Sequence, residues 1–221
     1  MRIVIFLFLF QLFFSCSKKR EESAIPFSEA SYKVKVTMNW VSPQLGVPAG
    51  AHVTTLTGMI HNKDTFLWMP GRLATAGLED VAEIGNNIKM NKELDDILLK
   101  NTALSKFSIS PPPVTGTVEM NLNFNTNYSH ISFASMIAPS PDWFMGIHDF
   151  NLLKDKIWIN DTTVNLAVYD AGTEEGDVFN YNNPETIPHQ IISILTPVNA
   201  SALANGNTSV SPIGSVRFIK N

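Results

Sequence analysis

Three acidic residues in the second half of the chain stand where their carboxylates could bind a cation. Asp142 follows Pro139 and Pro141, which fix φ and favour extended backbone, so the sequence predicts a rigid, non-helical corner at this point. Asp170 follows an alternating apolar run and precedes a glycine-bearing segment, the pattern of a strand that leads into a loop. Glu174 lies in the same segment. Loops at one end of a sheet can bring such side chains together.

Two interpretations of these acids are consistent with their spacing. In the first, Asp142 caps a turn by accepting backbone hydrogen bonds, and residues 170–177 form a solvated acidic loop. In the second, the carboxylates bind a hard cation such as Ca²⁺, and Gly172 lets the chain bend around the ion. The segment lacks the residue spacing of the helix-loop-helix calcium motif, so spacing alone favours the first interpretation.

Longer motifs favour the second interpretation. Pro-Ser-Pro-Asp-Trp-Phe at 139–144 and Asp-Ala-Gly-Thr at 170–173, in this order and separation, resemble the spondin domain, the N-terminal module of the secreted matrix proteins F-spondin and mindin. Similar segments at 32–40, 61–68 and 76–83 extend the resemblance over roughly 32–220. The resemblance implies an antiparallel β-sandwich with two short helices and a calcium ion held by loop carboxylates.

Matched position by position, the resemblance implies that the metal ligands are Asp142, Asp170 and Glu174. The family usually has Asp at the third position, and the extra methylene of Glu can shift the carboxylate or let both oxygens bind. The family also tends to have Asp where this chain has His148, and Asp149, the next residue, could replace that Asp. The sequence leaves open which acid completes the site: Glu174, Asp149 or Asp177.

The first residues predict export and lipid attachment. Arg2 precedes an apolar run at 3–14 that is too short to span a membrane and ends at Ser15 and Cys16. Residues 1–15 are therefore predicted to be a lipoprotein signal peptide, and Cys16 the lipidated residue that anchors the protein in a membrane. The alternative is a stray cysteine in an ordinary signal peptide. We expect a lipid-anchored protein of the cell envelope, at the outer membrane, facing either the periplasm or the outside.

The remainder predicts a tether followed by one domain. Residues 16–29 contain five consecutive charged side chains at 18–22 and are predicted to be a flexible tether, whereas 30–221 are predicted to form one spondin-like β-sandwich domain. Cys16 is the only cysteine, so no internal disulfide can form and packing must stabilise the core. The net charge is −4 without a basic stripe, so nucleic acid is not an expected partner.

Apolar alternation predicts most of the strands. Residues 32–40 and 118–124 alternate apolar and polar side chains, and 130–137 follow 118–124 across a short polar turn, so the latter two segments predict a hairpin that leads to Asp142. Further strands are predicted at 157–159, 163–169, 190–195 and 215–219. Helical spacing at 78–82 and 91–100 predicts two short helices that cover the sheet. This pattern favours a mainly β fold, an antiparallel sandwich or barrel.

No motif of known catalytic chemistry stands out. The five histidines fall at no zinc-protease spacing, and neither a Gly-x-Ser-x-Gly turn nor a phosphate-binding glycine loop is present. The sequence does not exclude a triad assembled from distant residues. We expect no catalytic residues and a protein that is not an enzyme.

The sequence therefore predicts a membrane-anchored, calcium-binding adhesion or ligand-binding domain whose ligand is an extracellular protein or glycan. Three alternatives stay open. The calcium is purely structural and the ligand binds elsewhere, the domain docks on phospholipid in a calcium-dependent manner, or it is a metal-dependent hydrolase. The identity of the ligand and the oligomeric state do not follow from the sequence.

Overall fold

The structure is a computed structural model that describes residues 26–41, 46–110 and 113–221. The predicted signal peptide, Cys16 and most of the predicted tether lie outside these residues. Two helices cover part of the sheet, α1 (Ala76–Ile84) and α2 (Ile88–Leu99), and a third, α3 (Ser201–Ala204), is a single turn. The strands are β1 (Glu29–Asn39), β2 (His52–Val53), β3 (Leu56–His61), β4 (Ala103–Ile109), β5 (Thr115–Asn125), β6 (His130–Ala138), β7 (Trp143–Asn151), β8 (Leu153–Lys154), β9 (Ile157–Trp158), β10 (Asp161–Asp170), β11 (Ser193–Ile194) and β12 (Gly214–Lys220).

One curled antiparallel sheet forms the body of the domain. Its strand order is β4-β3-β6-β7-β10-β12-β1-β5, with β2 paired to β6 and β11 paired to β10. The sheet nearly closes on itself, because its two end strands line opposite sides of one cleft without pairing. The predicted mainly antiparallel β class is therefore confirmed. These strands form a single nearly closed sheet.

Alternating side chains fill the inside of the curled sheet. Tyr32, Val34, Val36 and Met38 of β1 are buried, while the residues between them on the strand face outward. Each such side chain stabilises the fold by about 1.5–3 kcal/mol when fully buried. The same core receives buried residues from neighbouring strands: Phe124, Phe133, Trp143, Met145, Leu166, Val216 and Phe218.

The first two helices cover the outer face of β3, β6 and β7. Leu78 and Val81 of α1 and Met90 of α2 pack with Phe144 of β7 and other buried outer-face residues. Thr75 caps α1, since its hydroxyl oxygen accepts a hydrogen bond from the backbone N–H of Leu78 at 3.2 Å. Strands β6 and β7 are thus covered on both faces over much of their length, and α1 is held against the end of the sheet that carries the acids.

The predicted hairpin between 118–124 and 130–137 is wrong. Asn125 and Tyr128 do close a turn, with the Tyr128 N–H donating to the Asn125 carbonyl at 2.9 Å. Beyond it the strands separate: β5 pairs with β1, whereas β6 pairs with β3 and β7. The physical reason is burial, because β6 is buried on both faces and lies in the interior of the sheet, whereas β5 has one polar face and lies at its end.

Other predicted elements are confirmed with shifted ends. Helices α1 and α2 cover the predicted helical segments at 78–82 and 91–100, and β1, β5, β10 and β12 cover predicted strands. The predicted strand at 190–195 is reduced to β11 (Ser193–Ile194). Strands β4 and β7 were not predicted, since neither shows regular polar alternation.

Candidate functional site

Asp142 lies in the connection between β6 and β7, and its side chain is fully buried. Its Oδ2 accepts hydrogen bonds from the backbone N–H of Thr173 at 2.7 Å and of Glu174 at 3.1 Å. Its main-chain carbonyl accepts a third from the N–H of Ala171 at 3.1 Å. The second carboxylate oxygen, Oδ1, is buried and has no hydrogen-bond partner among the described residues. A turn-capping role therefore accounts for Oδ2 and leaves Oδ1 unexplained.

Asp170 is the last residue of β10 and is fixed by pairing on both sides. It lies opposite Trp143 of β7, the residue after Asp142, and opposite Ser193 of β11. Its Oδ1 accepts a hydrogen bond from the Gly172 N–H at 2.7 Å. The sheet thus places Asp170 next to the Asp142 corner, as the sequence predicts.

The chain then bends at Gly172. This residue has φ +78°, in the left-handed region that glycine tolerates best. A Cβ at this position would lie 2.4 Å from the carbonyl oxygen of Gln190, so the close approach of the two segments also requires glycine. The turn brings the backbone of Thr173 and Glu174 onto Asp142.

Glu174 extends from this turn and is partly buried. The Asn183 side-chain amide donates a hydrogen bond to its Oε2 at 3.4 Å, and its backbone forms a β-bridge with Glu185. Asp142, Asp170 and Glu174 therefore belong to two chain segments that are hydrogen-bonded to each other, although they are far apart along the sequence.

The environment disfavours negative charge on all three acids. Burial raises the pKa of the Asp142 carboxyl, although its hydrogen bonds oppose this shift. Burial, followed by the charge of Asp142, raises the pKa of Asp170 to about 7. Burial, followed by the charge of Glu83, raises the pKa of Glu174 to about 7. A cation among these groups would favour their ionised forms.

Glu83 is a fourth acid near the site, and no sequence pattern identifies it. It projects from α1 and lies close to Thr173, the residue that also binds Asp142. Burial is the main cause that raises the pKa of its carboxyl, with smaller contributions from Glu79 and Asp142. Periodicity assigns Glu83 to a helix surface, and only the packing of α1 against the sheet brings it to these loops.

The acids do not form a closed metal cage. In the described ranges 26–41, 46–110 and 113–221, no group of three or more His, Cys, Asp or Glu side chains is arranged to enclose an ion. The donor chemistry nevertheless fits a hard cation, because all donors are oxygens and the buried Oδ1 of Asp142 lacks a partner. Beside it lies an open cleft of about 390 Å³ that includes four acidic residues in its lining: Asp170, Glu174, Glu175 and Asp177.

The other candidate ligands divide between the two ends of the fold. Asp177 lines the cleft, and its Oδ2 accepts a hydrogen bond from the Ser201 hydroxyl at 2.9 Å. Asp149 lies seven residues beyond Asp142, a distance of about 23 Å along an extended strand, and its Oδ1 is 2.6 Å from His130 Nδ1. The structure therefore brings Asp177 near the site and separates Asp149 from it.

His148 also lies away from the acids. Its ring packs on Trp68, with centroids 5.0 Å apart, and on Tyr169, with centroids 6.4 Å apart. Burial lowers the pKa of its imidazole. The residue packs with the outer aromatic cluster and does not contribute to the cleft.

One serine–histidine pair resembles catalytic chemistry but is enclosed. Ser132 Oγ lies 2.8 Å from His61 Nε2, and both side chains are buried. Because Oγ also accepts the Asp149 backbone N–H at 2.9 Å, its own hydrogen is available to donate to His61. A substrate has no route to this serine in the described structure, so the pair stabilises the fold.

The fold and the site define a mainly antiparallel β domain whose loops gather acidic side chains at one end of a nearly closed sheet. None of the described helices is both long and apolar enough to cross a bilayer. The Spondin_N family model matches residues 30–206, and the chain belongs to this family.

Individual relatives show the same similarity. Spondin-2 of Rattus norvegicus is 30% identical over 177 residues, which covers 77% of this chain and 54% of the relative. Spondin-2 of Homo sapiens is 29% identical over 185 residues, covering 80% and 55%, respectively. Spondin-1 of Gallus gallus is 28% identical over 179 residues, covering 77% and 22%. The matched region thus spans about half of the Spondin-2 chains and about a fifth of the Spondin-1 chain.

Proposed function

We propose that the chain is an exported calcium-binding adhesion or ligand-binding domain of the spondin type. The observation that carries the proposal is the fully buried Asp142, whose Oδ1 has no partner in the described structure and which stands beside Asp170 and Glu174. Leaving such an oxygen unpaired costs about 1–3 kcal/mol, more if it is charged. A bound cation would remove this cost.

Asp142, Asp170 and Glu174 would hold the ion, with Glu83 and Asp177 close enough to contribute charge. When bound, calcium supplies a positive charge that neutralises the acids and a coordination shell that accepts oxygens in flexible geometry. The backbone N–H groups of the loop fix Oδ2 of Asp142, so that Oδ1 keeps one orientation. The loops on either side would then be held together and present a defined surface.

Two isoleucines support a role for this surface in ligand contact. Ile187 is 80% exposed and lies between Thr186 and Gln190, two residues that line the cleft. Ile191 also lines the cleft and is 54% exposed. Exposed apolar groups that form a patch rimmed by polar residues mark protein-interaction surfaces. The ligand of this surface would be an extracellular protein or a glycan.

The direction of the strands supports a site that points away from an anchoring membrane. Strands β1 and β10 both pair antiparallel with β12 and therefore run parallel to each other. Asp170 is at the C-terminal end of β10, so the site lies at the end where β1 finishes, whereas the chain enters β1 at the opposite end. With a lipid on Cys16, the predicted tether would attach at the far end from the acids, which disfavours docking of the site on the same membrane.

Calcium titration by calorimetry tests the proposal directly. We expect the mature chain with Cys16→Ala to bind one calcium ion and Asp170→Asn to bind it at least about tenfold more weakly, because one charged ligand is lost. Asp149→Asn is the matched control and should bind as the parent protein does, since this acid lies at the other end of β7. Absence of binding heat in the parent, or equal affinity in the two variants, would refute the site.

A further inference from the structure

The two end strands of the sheet leave a seam without strand pairing. Strand β5 pairs with β1 on one side, and β4 pairs with β3 on one side; within the part of the chain that the structure describes, no strand pairs with their other edges. The seam is the gap between these two edges. It holds a cleft of about 670 Å³, lined by residues of β1, β4 and β5: Glu29, Ala30, Ser31, Leu104, Ser105, Asn121, Leu122, Asn123, Phe124 and Asn125.

The hydrogen-bond register identifies which backbone groups face the seam. The Trp40 N–H donates to the Val114 carbonyl at 2.9 Å, and the Thr126 N–H donates to the Ser28 carbonyl at 3.0 Å. Between these two bonds the register of β1 and β5 has no shift. Because antiparallel pairs alternate, the even-numbered residues of β5 bond β1 and the odd-numbered residues point their N–H and C=O groups away from it. The seam-facing residues are Thr117, Glu119, Asn121 and Asn123.

Apolar side chains next to the seam are incompletely covered. Val118, Met120 and Leu122 of β5 point toward the core, yet each is only partly buried, as are Phe107 and Ile109 of β4. On β1, the inward side chains opposite these β5 residues are fully buried. The difference is the neighbouring strand, which β1 has on both sides and β5 has on one side only.

The seam is too wide for β4 and β5 to pair with each other. At most positions the Cα atoms of β4 and β5 lie more than 8 Å apart. Adjacent strands are spaced by about 4.8 Å, so a single strand between two others requires about 9.6 Å. The β5 edge also contains no proline, lysine or register shift that would block pairing, and Glu119 is the single charged residue of Thr115–Asn125.

We propose that an extended segment of a partner polypeptide, apolar at alternate positions, adds to β5 as a strand in this seam. An extended backbone is the chemistry that satisfies a row of outward N–H and C=O groups, and alternate apolar side chains would cover the half-exposed core residues of both edge strands. The seam shares no residue with the acidic site. This proposal is therefore independent of calcium binding.

A peptide with the sequence of residues 32–40 serves as the probe, because β5 already pairs with this sequence on its other edge. In the free mature chain we expect fast amide exchange at Thr117, Glu119, Asn121 and Asn123. With the peptide present, exchange at these four amides should slow by about tenfold or more. A scrambled peptide of the same composition should leave them unchanged.

Asn121→Pro tests whether the backbone groups recognise the strand. Proline removes a seam-facing N–H while keeping every hydrogen bond to β1, and should weaken peptide binding about tenfold. Asn121→Thr retains the N–H and should bind as the parent does. Unchanged exchange on peptide addition, or equal affinity of the two variants, would overturn the proposal.

Slow amide exchange at these four residues in the absence of the peptide would also overturn the proposal. Exchange at the four amides that is already slow and independent of protein concentration would assign the seam to the chain's own residues. Protection that grows with concentration, together with a dimer in sedimentation, would assign it to a second copy.

Discussion

Asp142 uses its two carboxylate oxygens differently. Oδ2 accepts backbone hydrogen bonds from Thr173 and Glu174, while Oδ1 is buried without a partner in the described structure. Charge-assisted bonds to backbone N–H groups stabilise the loop, whereas the unpartnered oxygen opposes folding. The residue therefore holds the loop in place whether or not a cation is bound, and a cation would satisfy only Oδ1.

Replacement of Asp142 by Asn separates these two roles. The amide oxygen can still accept both backbone hydrogen bonds, and the charge disappears, so we expect the free energy of unfolding without calcium to change by no more than about 1 kcal/mol. Stabilisation by calcium should be lost, since the ion loses a charged ligand. Urea unfolding with calcium and with chelator measures both quantities. A variant that retains the full calcium effect would contradict the assignment.

His61 predicts how stability depends on pH. Burial lowers the pKa of its imidazole; the nearby His130 acts in the same direction, whereas the Asn62 carbonyl and Asp149 oppose the shift. With a folded pKa below the unfolded value of about 6.5, the unfolded state binds more protons as the pH falls. This residue therefore contributes full stability above about pH 6.5 and loses it progressively below that value.

The contribution of His61 is measured by comparing the pH dependence of the unfolding free energy in the parent and in His61→Asn. Unfolding free energies from pH 8 to pH 5 should fall less steeply for the variant, although it starts from lower stability because it loses buried hydrogen bonds. His52→Asn, at an exposed residue, is the control and should keep the parent slope. Parallel slopes for the parent and His61→Asn would exclude His61 as the cause.

At the scale of elements, the turn after β10 determines whether the acids meet. Gly172 combines φ +78° with a close approach to the Gln190 carbonyl. We expect Gly172→Ala to destabilise the domain by about 1–3 kcal/mol and to weaken calcium binding, because the turn that presents Thr173 and Glu174 would shift. Thermal unfolding and calcium titration measure the two effects.

Gly206 provides a matched control for this variant. It has φ +79°, but a Cβ there would meet no atom within 4 Å. Gly206→Ala should therefore carry the backbone cost of about 1 kcal/mol and leave calcium affinity unchanged. Equal losses of calcium affinity in the two variants would show that the contact with Gln190 does not position the acids.

The burial of one or both faces of each strand explains which strands could be predicted from the sequence. Strands β1 and β5 have one apolar and one polar face, so their alternation predicts them. Strand β7 is covered by the core on one face and by helices on the other, and therefore lacks alternation. The wrong hairpin has a related cause, because the pairing of β6 follows from burial on both faces and not from its nearest neighbour in sequence.

The residues of the candidate site also differ in whether local sequence patterns predict them. Asp142 and Asp170 follow from local patterns of proline, strand and glycine, and the structure brings them together. Glu83 depends on how α1 packs against the sheet, and no local pattern contains that information. The separation of Asp149 from Asp142 depends on the length of β7, which the sequence did not predict.

At the scale of the whole molecule, the fold separates three regions. The acids lie at one end of the sheet, the chain enters β1 at the opposite end, and the seam between β4 and β5 runs along the side. An anchored domain with this arrangement would present the acidic end outward and leave the seam accessible from the side. Calcium at the acidic end would stabilise the loops without closing the seam.

Thermal unfolding of the unlipidated mature chain, with saturating calcium and with chelator, tests the central claim most directly. A ligand at about 1,000 times its Kd stabilises the folded state by about 4 kcal/mol. For a domain of this size we therefore expect a Tm about 10 °C higher with calcium. Superimposable melting curves under the two conditions would contradict a calcium site formed by Asp142, Asp170 and Glu174.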